Sequence, residues 1–210
     1  MPNWCENWGN ISHKNKSKTD ALLNAIEQGK LLEFCCPPPK EVQDDIDRSA
    51  KHTELMMRDN EFTPLTKEEK AWLAEYEARP KGSMPKWYEW RYANWGVKWE
   101  VEVHACDYET DDHECGISIG FDSAWGPPNE AFRQLASMGY EFDMHFFEGG
   151  MDFCGYMSGQ NGEFTYESRQ DAVKLIRSAE KDKPSWMWDQ FEHIADNIHD
   201  DDEPIVLPTR

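Results

Sequence analysis

The sequence predicts an α+β protein built on a ferredoxin-like split βαβ antiparallel sheet, with a helical insertion and C-terminal helices. Segments that alternate between polar and apolar residues mark strands, and segments with apolar residues three or four positions apart mark helices. Their order along the chain is strand, helix, strand, strand, helix, strand, which is the order of the ferredoxin-like fold. We therefore predict a core over residues 1–160, with a helical insertion at about 40–85.

The first half of the chain predicts one strand, one helix, a second short strand and the insertion. Residues Trp4 to Ile11 alternate in polarity and form the first predicted strand. A helix is expected to begin at Ser17, and the largely apolar residues Leu31 to Phe34 predict the short strand. Three consecutive prolines from Pro37 interrupt strand pairing. The charge-rich residues after them predict helices, most clearly over 67–78, where Thr66 and Glu69 predict a capping box.

The second half predicts a hairpin, a helix and two further strands. Val97–Cys106 and Cys115–Phe121 alternate in polarity and flank a polar turn, which predicts a hairpin with Trp99, Val103 and Ile117 on its core side. Two adjacent prolines then open a helix, because proline suits the first helical turn. Tyr140–Glu148 predicts the next strand, and Met151–Ser158 predicts a strand added beside it.

Residues 161–199 predict C-terminal helices that pack on the core. The first of these helices is expected to begin at Ser168, and the second carries Trp188 and Phe191 on its apolar side. The last residues, 200–210, are acidic and predict a flexible tail.

The charge of the chain indicates which partners it suits. Its 22 Lys and Arg stand against 41 Asp and Glu, which gives a net charge of −19. A disordered acidic chain would lack the 39% of hydrophobic and 13% of aromatic residues found here, so the composition favours a folded core with an acidic surface. Such a surface repels nucleic-acid phosphates and anionic lipid and attracts basic protein surfaces. We therefore expect no membrane association, and direct nucleic-acid binding is disfavoured.

The cysteines and the N-terminus point to the cytoplasm. The six cysteines follow an N-terminus without the basic and apolar regions of a signal peptide, so we expect free thiols in a reducing compartment. No apolar run approaches the ~18 residues of a membrane span. We expect no cofactor, since no nucleotide-binding or nucleophile motif occurs in the sequence.

Four short blocks resemble one protein family. They are Met1–Asn7, Trp95–Trp99, Phe121–Pro128 and the glycine pair Gly149-Gly150. The pattern is similar to that of the YubB-like proteins of phages and conjugative plasmids, which are described as carrying a ferredoxin-like domain. The resemblance extends discontinuously over residues 1–160 and implies a phage or mobile-element accessory protein. It carries over no catalytic residue.

The favoured hypothesis is a non-enzymatic protein that binds a host protein through acidic and aromatic residues. The expected partner has a basic surface, and a DNA-binding enzyme of host defence is the sharpest case, with carboxylates imitating phosphates as a DNA mimic. The aromatic segment before the hairpin and the acidic side of its first strand supply the predicted partner-binding residues. These are Trp87, Tyr88, Trp90, Tyr92, Glu100 and Glu102.

The first alternative is a metal-dependent enzyme. Glu141, Asp143 and His145 share one side of a predicted strand and are the candidates for acid–base or metal chemistry. A second set of possible metal ligands flanks the hairpin and consists of His104, Cys106, His113 and Cys115. Because side chains alternate along a strand, these four residues lie on two different faces of the sheet unless one strand contains a one-residue bulge. Ligands on two faces cannot meet at one ion, so we predict no metal site there.

The second alternative is a binder of single-stranded nucleic acid. Exposed aromatic residues stack on bases in such proteins, and the segment 87–95 is rich in them. The acidic strands beside this segment oppose phosphate binding. The sequence leaves enzyme and non-enzyme open and favours the non-enzyme.

Overall fold

The computed structural model describes residues 3–59, 63–78, 86–110, 115–178, 183–187 and 190–197. The chain forms two compact units. The sheet unit contains Met1–Cys36 and Asn94–Arg210, and the helical unit contains Pro37–Ala93. The predicted insertion at 40–85 lies within the helical unit.

The sheet unit is built on six strands that pair antiparallel throughout. The strand order is β2-β3-β1-β4-β5-β6. The first four strands have the ferredoxin-like arrangement, with β1 and β3 at the centre, and the predicted fold class is confirmed. The six strands are β1 Trp4–Ser12, β2 Glu102–Thr110, β3 Cys115–Ala124, β4 Glu141–Glu148, β5 Phe153–Gln160 and β6 Glu163–Gln170.

Eight helices and a short 3₁₀ turn accompany the strands within the described part of the chain. They are α1 Lys16–Glu27, α2 Leu31–Cys35, α3 Lys40–Arg58, α4 Lys67–Glu77, α5 Lys86–Trp95, α6 Asn129–Ser137, α7 Ala172–Ile176, the 3₁₀ turn Ser185–Met187 and α8 Glu192–Asn197. In the helical unit, the Thr66 side chain and the Glu69 backbone and side chain form the predicted capping box at the start of α4.

One side of the sheet, the helix-covered face, packs against α1, α2 and α6. Alternation places the buried residues Ile11 of β1, Ile117 of β3 and Phe142 of β4 on this face. Phe132 of α6 lies with its ring centroid 5.1 Å from that of Phe142 and 6.1 Å from that of Phe121. The apolar side of each strand thus buries itself under the helices and forms the main core.

The opposite side, the outer face, is half covered. The C-terminal segment, which consists of α7, the 3₁₀ turn and α8, packs on it. Its buried residues Met187, Phe191 and Ile194 cluster with Cys154 of β5 and with the half-buried Trp8 of β1. The part of the outer face around β1, β2 and β3 lies beyond this cluster.

The structure differs from the sequence prediction at Leu31–Phe34, where the expected strand is the helix α2. A short apolar run does not distinguish a strand from a buried helical turn. Here the Glu100 carboxylate accepts hydrogen bonds from the backbone N–H groups of Leu32 and Glu33, at 2.7 and 2.9 Å. A carboxylate at the first turn stabilises a helix, because it pairs with N–H groups that lack partners within the helix.

The first strand of the hairpin is also displaced. It was predicted over Val97–Cys106 and runs over Glu102–Thr110. Its register shifts between Val103 and Ala105, so this strand contains the one-residue bulge. Val103 is opposite Phe121, whereas beyond the bulge Cys106 is opposite Ile119. The odd-numbered side chains before the bulge and the even-numbered side chains after it therefore share one face of the sheet.

The C-terminal prediction was wrong for residues 163–170, which form β6 and not part of a helix. The hairpin from β5 to β6 turns at Asn161 and Gly162, whose φ angles are 54° and 83°. Two successive positive φ angles are typical of a type I′ turn, for which Asn-Gly is a preferred pair. The helix expected from Ser168 begins instead at Ala172. The predicted tail 200–210 and Trp188 lie outside the described residues.

Candidate functional site

Three carboxylates form a row across the open half of the outer face. Glu102 of β2 lies opposite Asp122 of β3, and Asp122 lies opposite Glu6 of β1. Directly opposed residues of antiparallel strands have Cβ atoms about 4.5–5.5 Å apart. We call Glu6, Asp122 and Glu102 the carboxylate row.

The local sequence explains why the row faces outward. On β1 the buried residues Cys5, Asn7 and Ile11 take the helix-covered face, so Glu6 takes the other one. On β3 the buried Phe121 and Ser123 leave Asp122 on the outer face in the same way. The row therefore follows from the alternation of two central strands and one edge strand.

The row carries no compensating charge within the described part of the chain. None of the ion pairs there includes Glu6, Asp122 or Glu102. Oδ1 of Asp122 is buried and has no hydrogen-bond partner among the described residues. Like charges that oppose each other directly destabilise a sheet. The row is therefore an anionic site whose charges repel one another.

Two tryptophans extend the site along the sheet. Trp4 is 53% exposed and precedes Glu6 by two residues, so it lies on the same face of β1. Trp99, which is 37% exposed, lies with its ring centroid 6.5 Å from that of Trp4. The Nζ atom of Lys98 lies 4.5 Å from the centroid of the Trp99 ring, which is a cation–π contact. We call Trp4 and Trp99 the tryptophan pair.

The net negative charge is concentrated in the sheet unit. The helical unit has ten Lys and Arg against twelve Asp and Glu, a net charge of −2, which leaves −17 on the sheet unit. Among strand residues with described side chains, the outer face carries one basic residue, Arg169, against eight acidic ones. The acidic ones are Glu6, Glu102, Asp107, Asp122, Glu141, Asp143, Glu163 and Glu167. The outer face is therefore the strongly acidic surface that the composition indicated.

The predicted partner-binding residues divide between the two units. Trp87, Tyr88, Trp90 and Tyr92 all lie on α5 within the helical unit. Tyr92 is exposed and its ring centroid is 4.9 Å from that of Tyr88, while the other three side chains are half-buried. These aromatic residues pack along one helix, and their role in binding stays a prediction.

The two predicted glutamates of the sheet unit have different environments. Glu100 accepts the hydrogen bonds of the first turn of α2, which gives it a structural role. Glu102 is exposed and belongs to the carboxylate row. Of the six predicted partner-binding residues, only Glu102 lies in that row.

The candidates for acid–base chemistry on β4 do not share one environment. Glu141 pairs with Lys14, at 3.2 Å between Oε1 and Nζ. Asp143 is exposed and accepts a hydrogen bond of 2.7 Å from the Tyr156 hydroxyl. His145 lies on the same face and is only 6% exposed, because the C-terminal segment covers it.

Aromatic rings surround His145 on several sides. Trp8 of β1, Tyr156 of β5, and Trp186 and Phe191 of the C-terminal segment have ring centroids 5.3–6.5 Å from its imidazole. Burial lowers the pKa of His145 below its ordinary value, and a hydrogen bond with the Trp186 backbone and the charge of Asp143 oppose this shift only in part. His145 is thus a neutral residue beneath the C-terminal segment.

The hairpin residues considered as metal ligands remain apart. The bulge places Cys106 opposite Ile119, on the same face of the sheet as that residue. Cys115 also lies on this face, but four residues away from Ile119 along β3. At ~3.4 Å per residue, this separates the two cysteines by about 14 Å along the strand. His104 is exposed beside Gly120, and His113 lies outside the described residues. Among the residues that the structure describes, no group of three or more His, Cys, Asp or Glu could hold a metal ion.

Two of the blocks that carry the family resemblance meet at the end of the sheet. The buried Asn7 donates from Nδ2 to the Cys5 carbonyl oxygen at 2.7 Å and to Ser123 Oγ at 2.8 Å. Ser123 Oγ in turn donates to the Gly126 carbonyl oxygen at 2.7 Å. Burial and the nearby charge of Glu148 raise the pKa of the Cys5 thiol, so it is unsuited to act as a nucleophile. These residues connect β1 to β3 and fix the register that forms the carboxylate row.

Four of the five residues of this site were not identified as functional from the sequence, and Glu102 was the exception. The alternation of the first predicted strand puts Glu6 and Trp4 on one side, which was a usable signal, but no role was given to them. Trp99 was expected to face the core and is exposed. Asp122 was noted only as part of a family-like block. Their grouping depends on strand pairing, which the sequence alone did not supply.

The comparison with protein families agrees with the fold. Residues 98–187 match the family described as the ferredoxin-like domain in Api92-like protein. A crystal structure of the protein Api92 from Yersinia pseudotuberculosis aligns with 81% of this chain and 98% of its own, at 11% identity and a TM-score of 0.44. Among curated proteins, none matches. The family match supports the ferredoxin-like part of the resemblance and does not bear on a phage or plasmid origin.

The helices give no indication of a membrane span. Over the described ranges, none is both long enough and apolar enough to cross a bilayer. The cytoplasmic location stays a prediction.

Proposed function

We propose that this chain is a non-enzymatic protein that binds a basic surface of another protein on the open half of its outer face. The observation that carries the proposal is the carboxylate row, in which Glu6, Asp122 and Glu102 lie side by side without a cationic partner in the described part of the chain. Proteins retain such a repulsive arrangement at functional sites, where local stability is lost for the sake of binding.

The charge distribution supports a basic partner. A net charge of −17 on the sheet unit attracts cationic surfaces over a Debye length of ~8 Å at physiological salt, and it accelerates their encounter. A phosphate backbone would be repelled by the same field, which disfavours single-strand binding on this face.

The size of the row favours a basic loop or strand over a long DNA-binding groove. Its three carboxylates lie one strand spacing apart, about 4.8 Å, and the next outer-face row along β3 and β1 holds the neutral residues Gly120 and Trp8. A duplex presents two long lines of charge. The DNA-mimic form of the hypothesis and a role against host defence therefore remain narrower proposals, and competition by DNA tests them.

The enzyme alternative receives less support from the residues proposed for it. His145 is beneath the C-terminal segment and does not reach a substrate on the open half of the face, and Asp143 is exposed but hydrogen-bonded to Tyr156. An acid–base pair requires both groups within hydrogen-bond reach of one substrate. The binding role is therefore the function that the geometry supports best.

A pull-down from host lysate tests the proposal. The full chain is compared with a variant that carries Glu6→Gln, Asp122→Asn and Glu102→Gln. We expect the native chain to capture basic proteins that rising salt releases, and we expect the variant to lose them. Release by duplex DNA as well would support mimicry.

A matched control variant distinguishes the effect of the carboxylate row from the effect of net charge alone. Glu68→Gln, Glu75→Gln and Glu89→Gln remove three charges from exposed glutamates of the helical unit, so this variant has the same net charge as the first. If both variants lose the captured proteins equally, or if neither loses them, the carboxylate row is not the binding site.

A further inference from the structure

We propose that the carboxylate row and the tryptophan pair form one docking surface for an arginine-bearing extended segment of a partner protein. This inference rests on the proposed function and specifies the side chain that the outer face recognises. Its elements are two exposed indole rings and three unpaired carboxylates on neighbouring strands, all within the sheet unit.

The two parts of the surface are contiguous. Trp4 and Glu6 are on the same side of β1, and two residues of a strand span about 6.8 Å. Trp99 is in ring contact with Trp4 and precedes Glu102 by three residues. One long cationic side chain is thus able to lie against an indole ring and reach the carboxylates.

The chemistry of the surface favours arginine over lysine. The guanidinium group is planar, stacks on aromatic faces and donates hydrogen bonds in a fork that matches a carboxylate. Glu6 and Glu102 are exposed, and neither has an ion-pair partner among the described residues, so both are able to accept such a fork of hydrogen bonds. The contact of Lys98 with Trp99 shows that a positive charge is accommodated beside this ring.

The arrangement also matches the composition of strong binding sites. Trp and Arg are the side chains that most often dominate binding energies at protein interfaces. Here the tryptophans belong to this chain, and the acidic row beside them calls for arginine on the partner. An extended segment fits because the row runs across three strands and the tryptophan pair flanks it, with Trp4 two residues from Glu6 along β1.

Peptide titration tests the inference with defined probes. Two nine-residue peptides of equal net charge are titrated into the full chain at 50 mM salt, one with arginine at every cationic position and one with lysine. We expect the arginine peptide to bind about tenfold more tightly, since stacking and bidentate hydrogen bonds add to the charge attraction. We also expect NMR shifts of the Trp4 and Trp99 indole N–H signals to exceed those of other tryptophans.

Single substitutions show which residues cause the preference for the arginine peptide. Trp4→Ala should reduce the affinity for the arginine peptide about five- to tenfold and bring it close to that of the lysine peptide. Asp122→Asn should reduce the affinity for both peptides about tenfold. Trp125→Asn is the control, because Trp125 is also exposed and has a φ of 73°, which Asn tolerates. This control should stay within about twofold of the native affinity.

The outcomes separate this inference from the proposed function. If both peptides bind equally and the Trp4 variant behaves like the Trp125 control, the arginine surface is refuted, while a general acidic binding face survives. If neither peptide binds at low salt, both proposals fail. Circular dichroism of each variant verifies its fold, and the indole shifts of the unmodified chain report on the surface without any substitution.

Discussion

Replacement of Asp122 by Asn removes the central charge of the carboxylate row and leaves the side-chain shape unchanged. Asp122 opposes Glu6 on one side and Glu102 on the other, so the substitution relieves two like-charge contacts. Each such cross-strand contact costs roughly 0.2–1 kcal/mol. We therefore expect the free energy of unfolding to rise by about 1 kcal/mol, which corresponds to about 3 °C in Tm for a chain of this length.

Urea and thermal unfolding at two salt concentrations measure this effect. Because the chain has two units, hydrogen exchange of the β1 and β3 amides should report the stability of the sheet unit separately. The gain should shrink at 1 M salt, where the Debye length of ~3 Å is shorter than the distance between opposed residues. The same variant should bind basic peptides more weakly, so stability and binding change in opposite directions.

Glu75→Gln is the control for this prediction. It removes one exposed charge from α4 in the helical unit, and we expect the stability of the sheet unit to stay within about 0.5 kcal/mol of the native value. A loss of stability for Asp122→Asn, or a gain that is insensitive to salt, would refute the reasoning. Either result would mean that Asp122 has a stabilising contact or that the three carboxylates do not interact.

Two further predictions concern the sheet beneath the site. His145 has a lowered pKa in the folded chain, so the unfolded chain binds its proton first as the pH falls below about 6.5. Stability should then fall by at most ~1.4 kcal/mol per pH unit. His145→Phe should flatten this dependence between pH 6.5 and 5 in urea unfolding, and parallel curves would contradict the assignment. For Gly9→Ala, an added Cβ would overlap the Asp143 carbonyl oxygen and lie 2.8 Å from the Met144 Cα. Since backbone atoms cannot yield, we expect a loss of about 3 kcal/mol or more. In contrast, Gly162→Asn, at a φ of 83° with no atom within 4 Å, should change stability by less than ~1 kcal/mol.

The alternation of the strands was the most productive signal in the sequence. It located β1, β3, β4 and β5, because residues that face water and residues that face the core must alternate along a strand. The capping box at Thr66 likewise predicted the start of α4, since both of its hydrogen bonds are local. Local patterns of this kind are complete within a few residues.

The errors occurred where a distant contact decides between local alternatives. Leu31–Phe34 became a helix because Glu100, far along the chain, accepts its first-turn hydrogen bonds. The bulge after Val103 reversed the parity of β2, and alternation by itself cannot reveal an inserted residue. The turn at Asn161-Gly162 was different, because an Asn-Gly pair between two strands is itself a local signal for a hairpin.

The sequence by itself determined that this chain has an acidic surface over an aromatic-rich core and which residues alternate to each side of most strands. Only the tertiary structure decided that Glu6, Asp122 and Glu102 are neighbours. Along the chain, Glu6 is about a hundred residues from the other two, which are themselves twenty residues apart. It also decided that His145 is buried beneath the C-terminal segment while Trp4 and Trp99 are exposed. The physical reason is that side-chain direction is a local property of a strand, whereas strand pairing and its register result from the packing of the whole sheet.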